Sequence, residues 1–373
     1  MTSSAGEGDL QLSNLVVKQL IGKGKYGEVF LCCTTECKET PNKGASGSDR
    51  TYYAMKRIDR KEAAKHKTRI QHILAEKECL RASLDCIYII DLIQTLKDQQ
   101  NLYFILELVK GNPLYVYLRN TVALEIIQNN FVVQKQIGYE IMCGMQFIHS
   151  KGYIYRDLKA SNVMLNIDGH IKLLDFGFSK KIDNGRTTTF CGTLHAMAPE
   201  VLAPGTVEYG YEVDHWSFGI ILFEIFTGTP PYVSESREKV FEVSRGGYRE
   251  ILRKQFCLVI DNHHEKCVKK GDTASDLIEE NNYIKDARCL EDLLSSIWQT
   301  SPQKRRGYSG GFEDIKKHEY FCGYANKVTS LGENRDSHPL VLELIANSRC
   351  NVLDYIKDDM HVNAVDQTLF KGF

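Results

Sequence analysis

The chain predicts an α+β fold in two lobes: a small, mainly β lobe over about residues 14–110 with one key helix, then a large, mainly helical lobe over about 111–321. Three observations predict it. At 373 residues the chain is long enough for a large core and divides more readily into two than it packs around one. Strand-like segments dominate before Gly111-Asn112-Pro113, and helix-spaced apolar stripes dominate after it. A composition that is 43% hydrophobic and 25% charged is that of an ordinary globular chain.

The elements follow in order. Residues 1–13 are polar and form an N-terminal segment. Residues 14–31 read as strand, glycine-rich turn, strand. The stretch 34–50, rich in Lys, Gly, Ser and Thr, reads as a surface loop, and Thr51 to Ile58 as the next strand. Residues 62–82 suit one helix, with Ile70, Ile73, Leu74, Lys77 and Leu80 at helical spacing. Strands are expected near 87–95 and 101–109. Beyond the change of character, Ile137, Ile141, Met145 and Ile148 form an i, i+4, i+8, i+11 stripe, and Gly152 lies just past its end. Asp168-Gly169 is a tight turn joining Val163–Asn166 to Ile171–Leu174. A buried helix covers about 213–227. Residues 253–287 are polar and read as an insertion between helices, and 322–373 form a C-terminal tail.

Composition excludes several classes. Lys plus Arg is 47 against 48 for Asp plus Glu, which gives no reason to expect nucleic acid or an acidic membrane as a partner. A membrane span needs about 20 apolar residues. No stretch approaches that, and even Phe218 to Phe226 contains Gly219 and Glu224. The opening MTSSAGEGDL lacks the basic and apolar regions of a signal peptide, and Thr2 excludes the N-myristoylation pattern. Twelve cysteines without a CxxC pair read as reduced thiols. That reading outweighs the faint metal-ligand spacing of His263-His264-x-x-Cys267. A cytoplasmic location, extending to the nucleus, is the expectation.

The chemistry is concentrated in a few motifs. Gly22-Lys23-Gly24-Lys25-Tyr26-Gly27-Glu28-Val29 is GxGxxGxV, a turn whose backbone N–H groups can approach phosphates. In dinucleotide-binding folds the same spacing lies between a strand and a helix, whereas here it lies between two strands. Lys56 follows in Tyr53-Ala54-Met55-Lys56, and Glu76 lies in the helical segment twenty residues on. Then come Tyr155-Arg156-Asp157-Leu158-Lys159-Ala160-Ser161-Asn162, Asp175-Phe176-Gly177 and Ala198-Pro199-Glu200. A set of charges like this makes little sense as a structural network, because buried charges need partners or metal.

In that combination and order the chain resembles eukaryotic protein kinases over about residues 14–324. The resemblance implies ATP and Mg²⁺ as cofactors and protein hydroxyls as acceptors. Lys56, held by Glu76, meets the α- and β-phosphates; Asp157 accepts the proton of the substrate hydroxyl; Lys159 stabilises the transferring phosphoryl; Asn162 and Asp175 hold Mg²⁺. Lys159, two residues after the aspartate, is the pattern of Ser/Thr rather than Tyr kinases. The nucleotide pocket falls on Ile21, Gly22, Gly24, Gly27, Val29, Ala54, Leu106, Glu107, Val109, Met164 and Leu174. Leu80, Leu92, Tyr155 and Phe176 fall at the family's hydrophobic spine, with Asp214 at its base.

More narrowly the chain resembles the AGC group, on its Tyr-Arg-Asp loop, the segment Thr187-Thr188-Thr189-Phe190-Cys191-Gly192-Thr193, and Arg305-Arg306-Gly307 followed by Asp314-Ile315-Lys316-Lys317-His318. Asn351-Val352-Leu353-Asp354-Tyr355 is similar to the group's tail motif, and the terminal Phe370-Lys371-Gly372-Phe373 to the FxxF of cAMP-dependent kinase catalytic subunits. The resemblance implies docking of Phe370 and Phe373 on the small lobe, a Glu200–Arg305 pair, and activation by phosphorylation of Thr189 by an upstream kinase. His72, Arg156 and Lys180 would contact that phosphate. It also implies a separate cyclic-nucleotide-binding regulatory subunit; control through cGMP or another upstream route is the alternative. A pseudokinase scaffold would have lost Lys56, Asp157 or Asp175, and all three are present.

Several positions depart from the family. Pro113 stands where an acidic residue contacts ribose and an upstream substrate Arg, and Ala160-Ser161 stands where Pro-Glu is usual. Glu224 remains at a third Arg-reading position. The loop receiving the residue after the acceptor is Leu194-His195-Ala196-Met197 rather than Pro-Glu-Tyr-Leu, and Leu174 replaces a Thr. Intact chemistry with altered substrate preference is the expectation.

Overall fold

The structure, a computed structural model, describes residues 10–24, 27–35, 50–270, 274–322 and 324. Lys25 and Tyr26 at the turn tip, most of the 34–50 stretch, the tail motif 351–355, and Phe370 and Phe373 lie outside the described residues. The chain forms two compact units. Among the described residues, one holds those up to Leu84 and Ile90–Lys110, the other Asp85–Ile89 and those from Gly111 on.

The first unit is built on a five-stranded antiparallel sheet of order β1-β2-β3-β5-β4. Its strands are β1 Leu15–Gly24, β2 Gly27–Thr34, β3 Tyr52–Asp59, β4 Leu92–Lys97 and β5 Asn101–Glu107. Leu15, Cys32, Met55, Tyr103 and Ile105 pack a core on one face. The helix expected over 62–82 is two helices, α1 Arg60–Ala64 and α2 Lys67–Ala82. They are separated at His66, whose extended backbone (φ −134°, ψ 119°) cannot continue a helix. The strand expected near 87–95 begins only at Leu92; before it, Ile89 makes an isolated parallel bridge to Leu173 inside the second unit.

The second unit is mainly helical. Two small sheets position its loops: β6 Gly111–Pro113, β8 Val163–Asn166 and β9 Ile171–Leu173 form one, and β7 Tyr153–Ile154 pairs with β10 Lys180–Lys181 in the other. Gly169, at φ +83°, supplies the left-handed residue of the β8–β9 turn. Around them lie α3 Leu114–Arg119, α4 Thr121–Gln128, α5 Phe131–Ser150, α6 Pro199–Leu202, α7 Glu212–Thr227, α8 Arg237–Ser244 and α11 Gly311–Lys316. Helix α7 is buried almost all round, and its C-terminus ends on Gly228 at φ +85°.

The polar stretch 253–287 is not a loop. It belongs to two long helices, α9 Arg249–Lys270 and α10 Ala274–Ile297, packed on each other and on α7. Leu252, Phe256 and Ile260 at i, i+4 and i+8 bury the inner stripe of α9, and Tyr283, Ala287, Leu290 and Leu294 that of α10. No described helix is long and apolar enough to cross a membrane.

Candidate active site

In the first unit, β1 and β2 bring the glycine-rich turn together, with Gly22 opposite Val29 and Gly24 opposite Gly27. A Cβ on Gly27 would lie 2.0 Å from the Arg57 carbonyl oxygen, so only glycine fits this strand crossing. Lys56 extends from β3 and its Nζ meets Glu76 Oε1 of α2 at 2.6 Å, with the two side chains 11% and 4% exposed. This charge-assisted contact fixes the ammonium at one end. Ala54 pairs with Leu106 across β3 and β5, and both are buried, as is Val109. The Glu107 carboxylate accepts from the Asp91 amide at 2.9 Å, which holds the exit of β5. Ile21 lies half-buried in β1, and His72 half-buried on α2.

The second unit gathers the catalytic-loop residues tightly. Asp157 is 2% exposed, and its carboxylate is held from three sides. Thr193 Oγ1 donates to Oδ1 at 2.6 Å, Lys159 Nζ to Oδ2 at 2.8 Å, and Asn162 Nδ2 to Oδ2 at 3.1 Å. Lys159 Nζ also donates to Thr193 Oγ1 at 2.8 Å. Underneath, buried Asp214 of α7 accepts from the Tyr155 and Arg156 amides at 2.9 and 2.8 Å, and contacts His149 Nε2 at 2.8 Å. Those bonds hold Arg156 in the left-handed region at φ +70°. Asp175 is also left-handed, at φ +50°. Its strained turn exposes the carboxylate while burying Phe176, whose ring packs edge-on to Tyr155 at 5.2 Å. Met164 lies half-buried in β8, and Leu174 precedes Asp175 with its amide bonded to Asn162 O at 2.8 Å.

The donor set suits Mg²⁺. Asn162 commits its amide nitrogen to Asp157, which turns the amide oxygen into the group able to meet a cation, and Asp175 adds an exposed carboxylate. One carboxylate with one amide oxygen is the sparse, hard set that Mg²⁺ accepts when phosphates and water complete its shell. Among the described residues no group of three or more His, Cys, Asp or Glu could hold a metal unaided. The His263–Cys267 pair lies 3.6 Å apart, with His263 stacked on Tyr283.

Around the activation segment, Arg156 Nε donates to Phe178 O at 2.7 Å and Nη1 to Tyr209 OH at 3.3 Å. Tyr209 in turn donates to Thr189 O, and burial pushes its phenol up to about 12. Lys180 Nζ donates to Thr187 Oγ1 at 2.9 Å, and Thr187 lies 3.4 Å from the hydroxyl of exposed Thr189. Glu200 and Arg305 form a bidentate pair at 2.7 and 2.9 Å, with Arg305 also bonded to Glu212 O and lying over the Trp216 ring. Sequence reasoning did not assign Thr193, Thr187 or Tyr209 to the site. Their signal is weak, a hydroxyl at a fixed distance from Ala198-Pro199-Glu200 or a buried Tyr far along the chain.

The protein kinase domain model matches residues 15–321. The chain is 30% identical over 312 residues to protein kinase C delta type of Mus musculus, covering 83% of this chain and 38% of that protein. It is 31% identical over 288 residues to the human cAMP-dependent protein kinase catalytic subunit PRKX, covering 76% of this chain and 73% of that one. Against the cGMP-dependent protein kinase, isozyme 2 forms cD5/T2, of Drosophila melanogaster it is 30% identical over 320 residues, 85% of this chain and 29% of that one. The chain belongs to the protein kinase family, within its AGC group. It spans under half the length of the protein kinase C delta relatives. Protein kinases use ATP and Mg²⁺.

Proposed function

We propose that the chain is a serine/threonine protein kinase that transfers the γ-phosphoryl of ATP to protein hydroxyls. The observation that carries this reading is the buried Asp157 carboxylate, held at both oxygens by Thr193, Lys159 and Asn162. A carboxylate fixed this way can orient a Ser or Thr hydroxyl and take its proton as the oxygen attacks the γ-phosphorus and the bond to the β-phosphate breaks. Lys159 supplies positive charge beside the transferring group, and Lys56, pre-ordered by Glu76, supplies it at the α- and β-phosphates. Asn162 and Asp175 would hold Mg²⁺, which when bound neutralises charge between the phosphates. The glycine-rich turn contributes backbone N–H groups.

Phosphorylation of exposed Thr189 by an upstream kinase is the proposed activating event. A phosphate there carries about −1.5 to −2 charge and would draw Arg156 and Lys180, whose present partners are uncharged, together with His72. A cyclic-nucleotide-binding regulatory subunit is the proposed partner. The relationships to both cAMP- and cGMP-dependent kinases support it equally, and co-purification distinguishes a separate subunit from other control. The cytoplasm, with access to the nucleus, is the proposed location.

The test is ATP-dependent phosphate incorporation into protein serine and threonine, with Asp157→Ala as control. Incorporation lost in the control is expected. No incorporation by protein phosphorylated on Thr189 and binding Mg-ATP would overturn the reading in favour of a scaffold.

A further inference from the structure

An exposed aromatic beside the catalytic loop carries a fixed cation. Phe190 is 47% exposed, and the Arg237 guanidinium lies over its ring at 4.4 Å from the centroid. Arg237 is the first residue of α8, directly after the Ser236 cap. Its Nε donates to Leu202 O at 2.9 Å and its Nη2 to Ala203 O at 2.5 Å. Those two bonds and the ring fix the guanidinium plane. Its Nη1 donates to nothing among the described residues, and no carboxylate there comes within ion-pair distance of it; the neighbouring Glu238 carboxylate feels its charge but accepts its hydrogen bond from Ser236 Oγ at 2.9 Å. A pre-ordered guanidinium with unspent N–H groups reads carboxylates well, because little side-chain freedom is lost on binding.

Its position relates it to the reacting hydroxyl. Thr193 Oγ1 touches Asp157 at 2.6 Å, and a Cβ on Gly192 would lie 2.5 Å from Arg156 O, so residues 192–193 run along the catalytic loop. Phe190 is three residues back, at most about 10–11 Å of extended chain. A bound peptide covers that distance in about one to three residues. The kinase resemblance expects acidic residues at positions 161 and 195, where this chain has Ser161 and His195, so negative charge is reduced at those two positions, while Glu235 and Glu238 flank Arg237 itself.

We propose that Arg237 reads an acidic side chain one to three residues from the phosphoacceptor, on the C-terminal side that the kinase resemblance assigns to Leu194-His195-Ala196-Met197, which makes the preferred substrate a Ser or Thr followed closely by Asp or Glu. The inference rests on the kinase reading. It is tested with peptides identical except for Asp or Asn at each of the three positions, assayed with wild type, Arg237→Lys and Arg237→Gln. Gln keeps a donor for the Leu202 and Ala203 carbonyls without the charge. The wild-type ratio of kcat/KM, Asp over Asn, is expected to be about tenfold at one position. It should be carried by KM, shrink with added salt, and fall near one in Arg237→Gln while partly surviving in Arg237→Lys. Ratios are taken within each variant, so a smaller folded fraction cancels. A wild-type ratio near one at all three positions, or a ratio unchanged in Arg237→Gln, overturns the inference while leaving the kinase intact. Absence of Asp157-dependent transfer to every peptide overturns the kinase reading itself.

Discussion

Asp157 and Ser161 lie four residues apart in one loop, yet the two ends of that loop are built on different terms. At Asp157 both carboxylate oxygens are held, the flanking backbone is pinned by buried Asp214, and Arg156 is kept in a strained conformation. At Ser161 the side chain is exposed, and Pro113, half-buried in β6, offers no charge. Removing any member of the first set leaves a buried polar group without its partner. On the proposed kinase reading, changing a member of the second alters what a bound peptide meets. The proposed chemistry is then locked by the fold, whereas peptide selection is free to change on the same scaffold.

Breaking the locked side should have the largest effects. Asp157→Ala is expected to lower kcat by about 10²–10⁴-fold with the fold retained, checked by steady-state kinetics alongside circular dichroism. Arg305→Ala leaves Glu200 buried without its cation and should cost about 3–5 kcal/mol, read as a lower denaturant midpoint. A midpoint within error of wild type would mean the pair is not the anchor its burial implies. Thr193→Val keeps the shape but removes the donor to Asp157, at about 1.5–3 kcal/mol, so roughly tenfold or more in kcat/KM.

The selective side should respond more gently and with pH. Burial pushes the Glu224 carboxyl up to about 7, with Arg119 pulling the other way. Its folded value lies above the ordinary carboxylate range, so the folded chain holds this proton more tightly than the unfolded chain. Glu224 thus favours the fold at low pH, and that contribution is lost as pH rises from the ordinary range through about 7. Binding of a basic peptide runs the opposite way, since only the ionised form attracts Arg. KM for an Arg-containing peptide is expected to fall between pH 6 and 8 with a midpoint near 7, and Glu224→Gln should flatten the profile. An identical profile in both proteins would assign the titration elsewhere.

What could be read from the sequence divides along similar lines. Strands β1, β2, β3, β5, β8 and β9 and helices α5 and α7 were legible because each carries its own local pattern, and Lys56, Asp157 and Asp175 because they sit in contiguous motifs; β4 starts later than expected, and the two- and three-residue strands β6, β7 and β10 are too short to carry a pattern. Helices α9 and α10 were not: the stripe Leu252, Phe256, Ile260 is narrow, and polar neighbours mask it. The break at His66 was missed because apolar spacing runs on through α2 without a strong stop signal. Thr193 and Tyr209 escaped because their partners lie 36 and 53 residues away, a relation only the folded chain creates.

The contrast between the two sides is tested most directly by kcat/KM for one peptide with Arg two and three residues before its acceptor, against versions carrying Ala at either position. With Pro113 and Ser161 offering no carboxylate, at least one replacement is expected to cost less than about tenfold, while kcat stays level. A loss of tenfold or more at both positions would contradict the account, because charge the two altered positions cannot supply would still be reading both arginines.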